Sequence, residues 1–576
     1  MVSIILTWFL IFLMSYGFGA VVLFAYDKCF DTKKVWTVDY YLVLGIMLLT
    51  VYSEFFSIFK RLGSLAILTS LVLSVGIYIM AIRKEYIVLK TLYKSIVELV
   101  KKPWLLLGGI LIIWLMMSYT DVTATYGDTY SYHNQAIQWL NKYGVVPGLG
   151  NFHHRFAYNS AFLPLQALFS FNWLVGEQIH TMNGFLCACC SMYAILSNNL
   201  LKRNPIVLSD FFKMGVVVYI LYNRIMISCP GTDIMPTLLA LYIVSKWAEC
   251  LEGNDDSLEQ YCILAVLGIF NVTVKLSFAT MVLLVLVPLI TIIKNKWYKI
   301  LIINVIITLV IVLPWLIRNV IISGYLVYPL SSLDLFNVDW KMPISVVTYD
   351  KYEITAWARA LFDVSLYDLP FREWFVDYWW ARESFFNKTL MVIGVVSVII
   401  CIVYVMMLFI KKKFKEYIPS IALIVSIVLT FIYWLYQAPL MRYGIVCVIM
   451  PVCVILGLGI NQKIVSRVRY VVVSFMMLCL LGGLLINAPR LNILKYGIVM
   501  QLPYTHYKTR PIELDGYRAY TIDDIEGGTD VFPYVPYEGM LDKIELRGSD
   551  LSDGFRMKAE YRNASLTDSG SEWVVD

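Results

Sequence analysis

Long apolar runs separated by short polar segments form the dominant pattern of this sequence. The runs are roughly 16 to 25 residues long, enough for a helix to cross about 30 Å of hydrocarbon. Because backbone polar groups in lipid must be paired internally, such runs indicate helices. The alternation typical of an outer-membrane barrel strand is absent from the sequence. The pattern therefore predicts an all-α polytopic membrane protein.

The apolar runs predict about fourteen membrane helices. Their expected positions are about 3–26, 40–59, 65–82, 105–120, 180–200, 211–228, 234–250, 258–273, 277–293, 300–317, 389–410, 418–437, 443–461 and 470–488. Composition supports this, because 59% of the 576 residues are hydrophobic and 15% are charged, whereas soluble domains carry about 25% charged residues. The 11 cysteines show neither a disulfide framework nor a zinc-binding spacing.

The distribution of Lys and Arg between the runs predicts the orientation of the chain. Loops rich in basic residues face the cytoplasm, so the net charge of +6 reflects topology and not nucleic-acid binding. The segments expected to be cytoplasmic are Arg83–Lys102, Lys202–Arg203, Lys294–Lys299, Lys411–Lys415 and Lys463–Arg469. Two segments disagree with the rule, since acidic Glu252–Glu259 is then cytoplasmic and Lys60–Arg61 external. The topology of the first three helices is therefore left open.

Three hydrophilic parts of the chain are expected together on the external face. They are a loop at 121–180, a loop at 318–388 and a tail from Pro489. We accordingly divide the chain into N-terminal membrane helices with a cytoplasmic segment (1–104), a membrane module with both loops (105–488) and a C-terminal domain (489–576). The turn-rich composition of the tail predicts a small external domain of mixed or β-rich structure.

The first external loop combines an acid with a predicted amphipathic helix. Asp128 precedes the run 129–143, whose apolar positions share one helical face. These positions are Tyr132, Ala136, Trp139 and Leu140. A helix at the membrane interface would turn this face towards lipid. Asp128 then stands at the helix N-cap, where Asp is favoured, so capping and catalysis are both open for it.

Three of the five histidines lie in the first part of this loop, before residue 162. His133, His153 and His154 are followed by Arg155, for which a loop salt bridge is the alternative to substrate binding. Together with Asp128 the histidines offer metal ligands, but they lack a short ligand spacing such as His-x-x-x-His. We therefore expect these side chains to position substrate, with no cofactor and no metal; a divalent ion is the alternative.

Further charged residues stand at the predicted outer ends of helices. Lys275 lies between two apolar runs, Arg318 ends one helix and Arg442 begins another. Ionisable groups at such a depth are costly and indicate a functional site, whereas snorkelling of the side chain to the interface is the alternative. Asp233 also lies between two helices, either as a helix N-terminal residue or as a substrate contact. The tryptophans of the second loop indicate an interfacial aromatic belt or a groove for sugar rings.

Four segments carry a resemblance to a known family. They are DTYSYHNQAIQWL and VVPGLGNFHHRFAYNS in the first loop, PWLIRNVIISGYLVYP at the start of the second loop, and ELRGSDLSDGFR in the tail. They resemble the GT-C superfamily of glycosyltransferases, and within it a group of bacterial multi-pass membrane proteins of poorly defined substrate. The resemblance covers most of the chain from about residue 105. One departure lies in NFHHR, where His154 takes the place of a glycine in the group's Asn-Leu-His-Gly-Arg.

The resemblance implies an inverting transfer of sugar from a polyprenyl-phosphate donor to a glycan, lipid or protein acceptor. The protein would lie in the bacterial inner membrane with its active face towards the periplasm. Asp128 is implied as the general base, and Lys275, Arg318 and Arg442 as phosphate contacts that stabilise the leaving charge. The remaining candidates for substrate binding are His133, His153, His154, Arg155 and Asp233.

Two other functions are compatible with this pattern. Polymerases and ligases of surface polysaccharides also combine many helices with a large external loop and arginines. A transporter or flippase of lipid-linked saccharides is the non-enzymatic alternative. Internal symmetry between halves would favour a transporter, and the sequence shows none by inspection. Long loops on one face alone favour chemistry at that face.

Overall fold

The structure, a computed structural model, describes fourteen stretches of the chain. They are residues 1–32, 34–83, 87–199, 206–253, 257–412, 417–458, 466–489, 500–501, 504, 508–521, 531–535, 538–562, 565–566 and 573–574. The predicted cytoplasmic segment Lys202–Arg203 lies outside these residues, as do parts of Glu252–Glu259, Lys411–Lys415 and Lys463–Arg469.

Ten helices in the described stretches are long and apolar enough to cross a membrane. They are Val2–Phe30, Val38–Phe59, Ser64–Ile82, Pro103–Thr120, Ile234–Glu252, Leu276–Lys294, Tyr298–Ser323, Phe385–Ile410, Ile418–Gln437 and Met441–Leu458. Four further helices pack beside them, Met182–Leu196, Leu208–Tyr222, Leu258–Val274 and Ser466–Ile486. Each of the predicted apolar runs coincides with one of these helices. The polytopic all-α architecture is confirmed, and fourteen crossings remain a prediction.

The helices differ in how much of their surface the protein itself covers. Ile234–Glu252 lies at the centre, with 89% of its apolar window buried, whereas Tyr298–Ser323 has 17% buried. A helix that is apolar all round and exposed is typical of a membrane-facing position. The two N-terminal helices pack backbone to backbone, since a Cβ on Gly45 would lie 1.6 Å from the carbonyl oxygen of Ser15. Small residues permit such close approach between membrane helices.

The two long loops and the tail meet at one end of the helix bundle. Gly148 N donates a hydrogen bond to Ile321 O (2.8 Å), and Phe555 N donates one to Pro147 O (3.0 Å). We call this end, with residues 121–181, 324–384 and the described tail, the loop face. The N-terminus also lies here, because Trp8 Nε1 donates to Thr181 O at 3.0 Å. Lys60 and Arg61 lie there too, next to the bond from Leu62 N to Leu140 O.

The first-loop helix forms as predicted, but its apolar face does not meet lipid. A π-helical turn, Thr129–His133, leads into the α-helix Asn134–Lys142. Trp139 has 0% exposure and packs edge-on against Phe532 and Phe555 of the tail, with centroid distances of 4.7 and 5.8 Å. The expectation of a lipid-facing surface is therefore wrong. Its apolar stripe binds the tail, which the sequence pattern of the helix alone does not reveal.

The described tail consists of short strands and turns. Three two-stranded antiparallel sheets are present, Arg510–Leu514 with Tyr517–Thr521, Ile544–Leu546 with Phe555–Met557, and Ser565–Leu566 with Trp573–Val574. The tail is fixed to the first-loop helix, where Gln135 Nε2 donates to Val531 O at 2.7 Å. Arg547 pairs with Asp339 of the second loop at 2.9 Å. Both contacts place the tail at the loop face.

Short helices complete the loop face and one flank of the bundle. The α-helical pieces are Ile87–Val100, Leu149–Phe152, Phe162–Leu168, Asn172–Val175, Ile344–Ala358 and Phe371–Glu373. The 3₁₀ pieces are His154–Ala157, Arg224–Ser228, Val364–Leu366, Glu538–Lys543, Leu551–Asp553 and Ala559–Tyr561, and Trp374–Trp380 is π-helical. Within the Leu276–Lys294 helix, the first part, Leu276–Val285, is also 3₁₀. Among them Ile344–Ala358 matters most, because it carries two acids of the site described next.

Candidate functional site

Asp128 precedes the first-loop helix, yet its carboxylate does not cap it. The side chain makes no hydrogen bond to the first turn. Its Oδ2 instead accepts a hydrogen bond from Arg442 Nη2 at 3.2 Å, and the side chain keeps 32% of its surface exposed. Capping as the sole role of Asp128 is therefore wrong. The carboxylate is directed across the loop face towards the start of the Met441–Leu458 helix.

Asp233 is arranged in the same way at the start of the Ile234–Glu252 helix. It stands at the N-cap without a side-chain bond to the helix. One carboxylate oxygen pairs with Lys275 Nζ, and the other lies 3.4 Å from Arg442 Nε. Its role as a mere helix N-terminal residue is thus also wrong. Asp233 links the two cations.

Four charged residues from four separate segments therefore form one group, which we call the Asp128 cluster: Asp128, Asp233, Lys275 and Arg442. Lys275 stands where the Leu258–Val274 helix ends. The Tyr443 ring lies beside both cations, 4.1 Å from Lys275 Nζ and 4.4 Å from Arg442 Cζ. Aromatic faces attract cations in this geometry, so the ring helps to hold both side chains at the loop face.

Arg442 retains an unused donor within this cluster. Its Nη1 is buried and has no hydrogen-bond partner among the residues that the structure describes. A buried guanidinium donor without an acceptor is costly, and an anionic ligand oxygen would satisfy it. The neighbouring ring of Tyr126 lies 4.4 Å from Cζ and fixes the plane of the guanidinium. The cluster therefore offers one oriented donor for an anion.

The surroundings bring the pKa of Asp128 close to neutrality. Burial, and then the charge of Asp233, raise the pKa of its carboxyl to about 6, while Arg155 and Lys275 oppose the shift. Burial alone would lower the pKa of Lys275, but the charge of Asp233 raises it, so the ammonium stays protonated. Burial lowers the pKa of His133 to about 4. His133 is consequently neutral at pH 7, and its ring centroid lies 4.2 Å from that of Tyr132, with the two ring planes tilted by 50°.

A second group lies next to the first, which we call the Arg155 cluster: His154, Arg155, Asp350 and Glu353. Arg155 Nη1 lies 3.0 Å from Asp350 Oδ1, and its Nη2 lies 2.5 Å from Glu353 Oε2. The salt-bridge alternative for Arg155 is thus correct. The guanidinium is near enough to the Asp128 cluster to lower the pKa of Asp128.

Asp350 and Glu353 are not among the site residues predicted from the sequence. They are three positions apart on the Ile344–Ala358 helix and therefore share a face. This spacing was visible in the second loop, where the many tryptophans drew the interpretation to a membrane belt. Trp374 and Trp379 have exposures of 1% and 0%, so these two form part of a packed core and neither an interfacial belt nor an open groove.

The remaining candidates lie apart from the Asp128 cluster. Arg318 has 2% exposure, donates from Nε to Asn159 Oδ1 at 3.0 Å and from Nη1 to Ser57 Oγ. It is also close to the buried Glu54, so it neither snorkels nor joins Lys275 and Arg442. His153 packs edge-on against His154 and Phe156, with both centroid distances 5.1 Å. Its contacts are those of a buried packing residue.

Comparison with known proteins identifies a family whose function is unknown. A family model described as a domain of unknown function, DUF8201, matches residues 1–449. The match includes every residue of the Asp128 and Arg155 clusters and ends before the tail. Neither a curated protein nor a solved structure matches the chain.

Proposed function

Because the chain belongs to the DUF8201 family, a domain of unknown function, we propose its activity from its own residues. It is a membrane glycosyltransferase that moves a sugar from a polyprenyl-phosphate donor to a glycan, lipid or protein acceptor at the loop face. The observation that carries the proposal is the convergence of Asp128, Asp233, Lys275 and Arg442 at one end of an apolar helix bundle. The proposed general base and the two proposed phosphate-binding cations meet at that end.

Charge placement supports an external position for the loop face. Lys294, Lys296 and Lys299 lie at the opposite end of the bundle, at the turn between the Leu276–Lys294 and Tyr298–Ser323 helices. Lys411 follows the Phe385–Ile410 helix at that same end. Basic loops face the cytoplasm, which supports an external loop face, in a bacterium the periplasmic side of the inner membrane. Nucleotide sugars are confined to the cytoplasm, and a lipid-linked donor supplies the sugar instead.

Arg442 and Lys275 would bind the donor phosphate. The free Nη1 of Arg442 suits a phosphate oxygen, because charge-assisted bonds from guanidinium to phosphate are short and strong. Lys275 Nζ adds a second positive charge from the neighbouring helix end. Both charges stabilise the negative charge that develops on the phosphate as the bond to the sugar breaks.

Asp128 would act on the acceptor. The acceptor hydroxyl oxygen forms a bond to the anomeric carbon, and its proton passes to the Asp128 carboxylate. The bond between that carbon and the phosphate oxygen breaks, and the electron pair leaves with the polyprenyl phosphate. With a pKa of about 6, Asp128 is largely ionised at pH 7 yet basic enough to take the proton. Its 32% exposed side chain is open to an acceptor from the loop face.

The test uses the full chain in lipid nanodiscs with a panel of undecaprenyl-phosphate-linked sugars and a cell-envelope extract as acceptor source. We expect the wild type to release undecaprenyl phosphate from at least one donor, and Asp128→Asn to lose about 10²- to 10⁴-fold in rate. Asp368→Asn, an exposed acid of the second loop, is the matched control and should retain activity. The wild type is also placed in sealed proteoliposomes, where translocation of a lipid-linked saccharide without any release would favour the transporter instead.

A further inference from the structure

Three potential metal ligands face one another in the Arg155 cluster. His154 Nε2 lies 3.5 Å from Asp350 Oδ1 and 3.7 Å from Glu353 Oε2, and all three atoms lie within 4.8 Å of one another. These separations are too long for hydrogen bonds. Two ligands on a tetrahedral ion with bonds of about 2.0–2.2 Å lie about 3.3–3.6 Å apart. The separation from His154 to Asp350 falls in this range and the separation from His154 to Glu353 is slightly longer, so both are compatible with a shared ion.

The surrounding structure holds these ligands in place. Asp350 has 0% exposure, and its other oxygen, Oδ2, accepts a hydrogen bond from Tyr328 OH at 2.7 Å. Such outer bonds orient the carboxylates that bind metals. His154 Nε2 is buried and lacks a hydrogen-bond partner within the described stretches. A ring nitrogen that faces two carboxylate oxygens at these distances leaves space for an ion between the three groups.

Arg155 is compatible with such an ion. Its guanidinium contacts the same two oxygens, Asp350 Oδ1 and Glu353 Oε2. Each carboxylate oxygen has two lone pairs, so it can accept from Arg155 and coordinate an ion at once. Metal-binding carboxylates are commonly hydrogen-bonded in this way. Arg155 would therefore fix the ligand geometry and need not be displaced.

The net charge of the two clusters favours a bound cation when a donor phosphate is present, an inference that rests on the proposed function. With the histidines counted as neutral, the two clusters contain four carboxylates against three cations, a net charge of −1. These residues are Asp128, Asp233, Asp350 and Glu353 against Arg155, Lys275 and Arg442. A phosphodiester donor adds one more negative charge, which is costly in a partly buried site. One divalent cation neutralises the sum.

We propose that His154, Asp350 and Glu353 bind a divalent transition-metal ion beside the Asp128 cluster, of the Zn²⁺ class. One imidazole and two carboxylates suit Zn²⁺, whereas Mg²⁺ and Ca²⁺ prefer ligands that are all oxygen. Three protein ligands leave a fourth position open, as in catalytic zinc sites. A phosphate oxygen of the donor would fill that position. The ion and Arg442 would then hold the phosphate from two sides.

The experiment titrates Zn²⁺ into EDTA-stripped full-length protein in nanodiscs by calorimetry. The wild type should bind one ion, and Glu353→Gln and His154→Gln should each weaken binding at least about tenfold. Glu373→Gln, an exposed acid elsewhere in the second loop, is the matched control and should bind as the wild type does. Size-exclusion profiles and Tm values show that each variant is folded.

Equal Zn²⁺ affinity of the wild type and both ligand variants, or no binding by the wild type, would overturn the proposal. The same preparations are also assayed for release of undecaprenyl phosphate. Transfer without Zn²⁺ binding at His154 and Glu353 would reject the ion and retain the glycosyltransferase. Site-specific Zn²⁺ binding in a protein that releases no undecaprenyl phosphate from any donor would retain the ion and reject the glycosyltransferase.

Discussion

Arg442 Nη2 lies 3.2 Å from Asp128 Oδ2, although the two residues are 314 positions apart in the sequence. The same guanidinium reaches Asp233 through Nε at 3.4 Å, so Arg442 stands between two carboxylates. It thereby joins the first loop, the start of the Ile234–Glu252 helix and the start of the Met441–Leu458 helix. We infer that Arg442 organises the site and binds the donor phosphate, and the predictions below begin with it.

Arg442→Lys should weaken binding of undecaprenyl phosphate by about 10- to 100-fold. Lysine retains the charge but lacks the planar fork that reaches two carboxylates and a phosphate together, and a hydrogen bond to a charged group contributes about 1.5–3 kcal/mol. Binding is measured by native mass spectrometry of the nanodisc complex. Arg372→Lys, at an exposed position of the second loop, serves as the control. Wild-type affinity in Arg442→Lys would show that charge alone suffices.

Transfer should increase as the pH rises through about 6. The proposed mechanism requires the base form of Asp128, and burial together with Asp233 raises its pKa to about 6. His133, with a pKa lowered to about 4 by burial, is neutral across this window and contributes no second step. The rate with saturating donor is measured from pH 4.5 to 8 in steps of about 0.5 pH units, which are small enough to locate the midpoint of a single titration. A rate that stays constant between pH 5 and pH 7 would contradict the role of Asp128.

Asp128→Asn should leave the protein at least as stable as the wild type at pH 7.5. The pKa of Asp128 in the folded protein is raised from its ordinary value of 3.8 to about 6. Ionisation of the carboxyl therefore lowers the free energy of unfolding as the pH rises from about 3.8 to about 6. Asparagine removes this cost and keeps an acceptor for Arg442. Thermal unfolding in detergent at pH 7.5 and pH 4 measures the difference, which should be larger at pH 7.5. A lower Tm for the variant at pH 7.5 would contradict this.

Phe555→Ala should release the tail from the loop face. Phe555 has 0% exposure and packs against Trp139 and Phe152. Removing a buried Phe side chain costs about 3–5 kcal/mol, enough to undock a small domain without unfolding the helix bundle. Limited proteolysis followed by mass spectrometry should detect earlier cleavage in the tail alone. Phe385→Ala, at an 86% exposed position, should digest like the wild type, and equal digestion of Phe555→Ala would refute the docking role.

The sequence predicted the helices and one part of the site for a common physical reason. Apolar runs of membrane length must be helical, and ionisable residues at their ends are costly unless they meet partners. Lys275 and Arg442 follow this rule, and both contact Asp233. Arg318 also follows this rule, but its charged partner is Glu54, which lies within the neighbouring Val38–Phe59 helix. The position of Glu54 inside an apolar run indicates from the sequence alone that it needs a buried cation as partner.

Contacts between the two long loops could not be predicted from the sequence. Arg155 and Glu353 are 198 positions apart, and no local spacing indicates that the two loops meet. Helical periodicity places Glu353 and Asp350 on one face, but it does not indicate what that face contacts. Trp139 illustrates the same limit, since an apolar stripe binds lipid or protein equally well and the tail decides between them.

The most direct test of the central proposal compares donor binding and transfer in Asp128→Asn within one preparation. If Asp128 is the general base, the variant should bind undecaprenyl phosphate with wild-type affinity, since Arg442 and Lys275 remain, while single-turnover release from the donor falls about 10²- to 10⁴-fold. The control Asp368→Asn should match the wild type in both measurements. Release at the wild-type rate by Asp128→Asn would contradict the proposed mechanism.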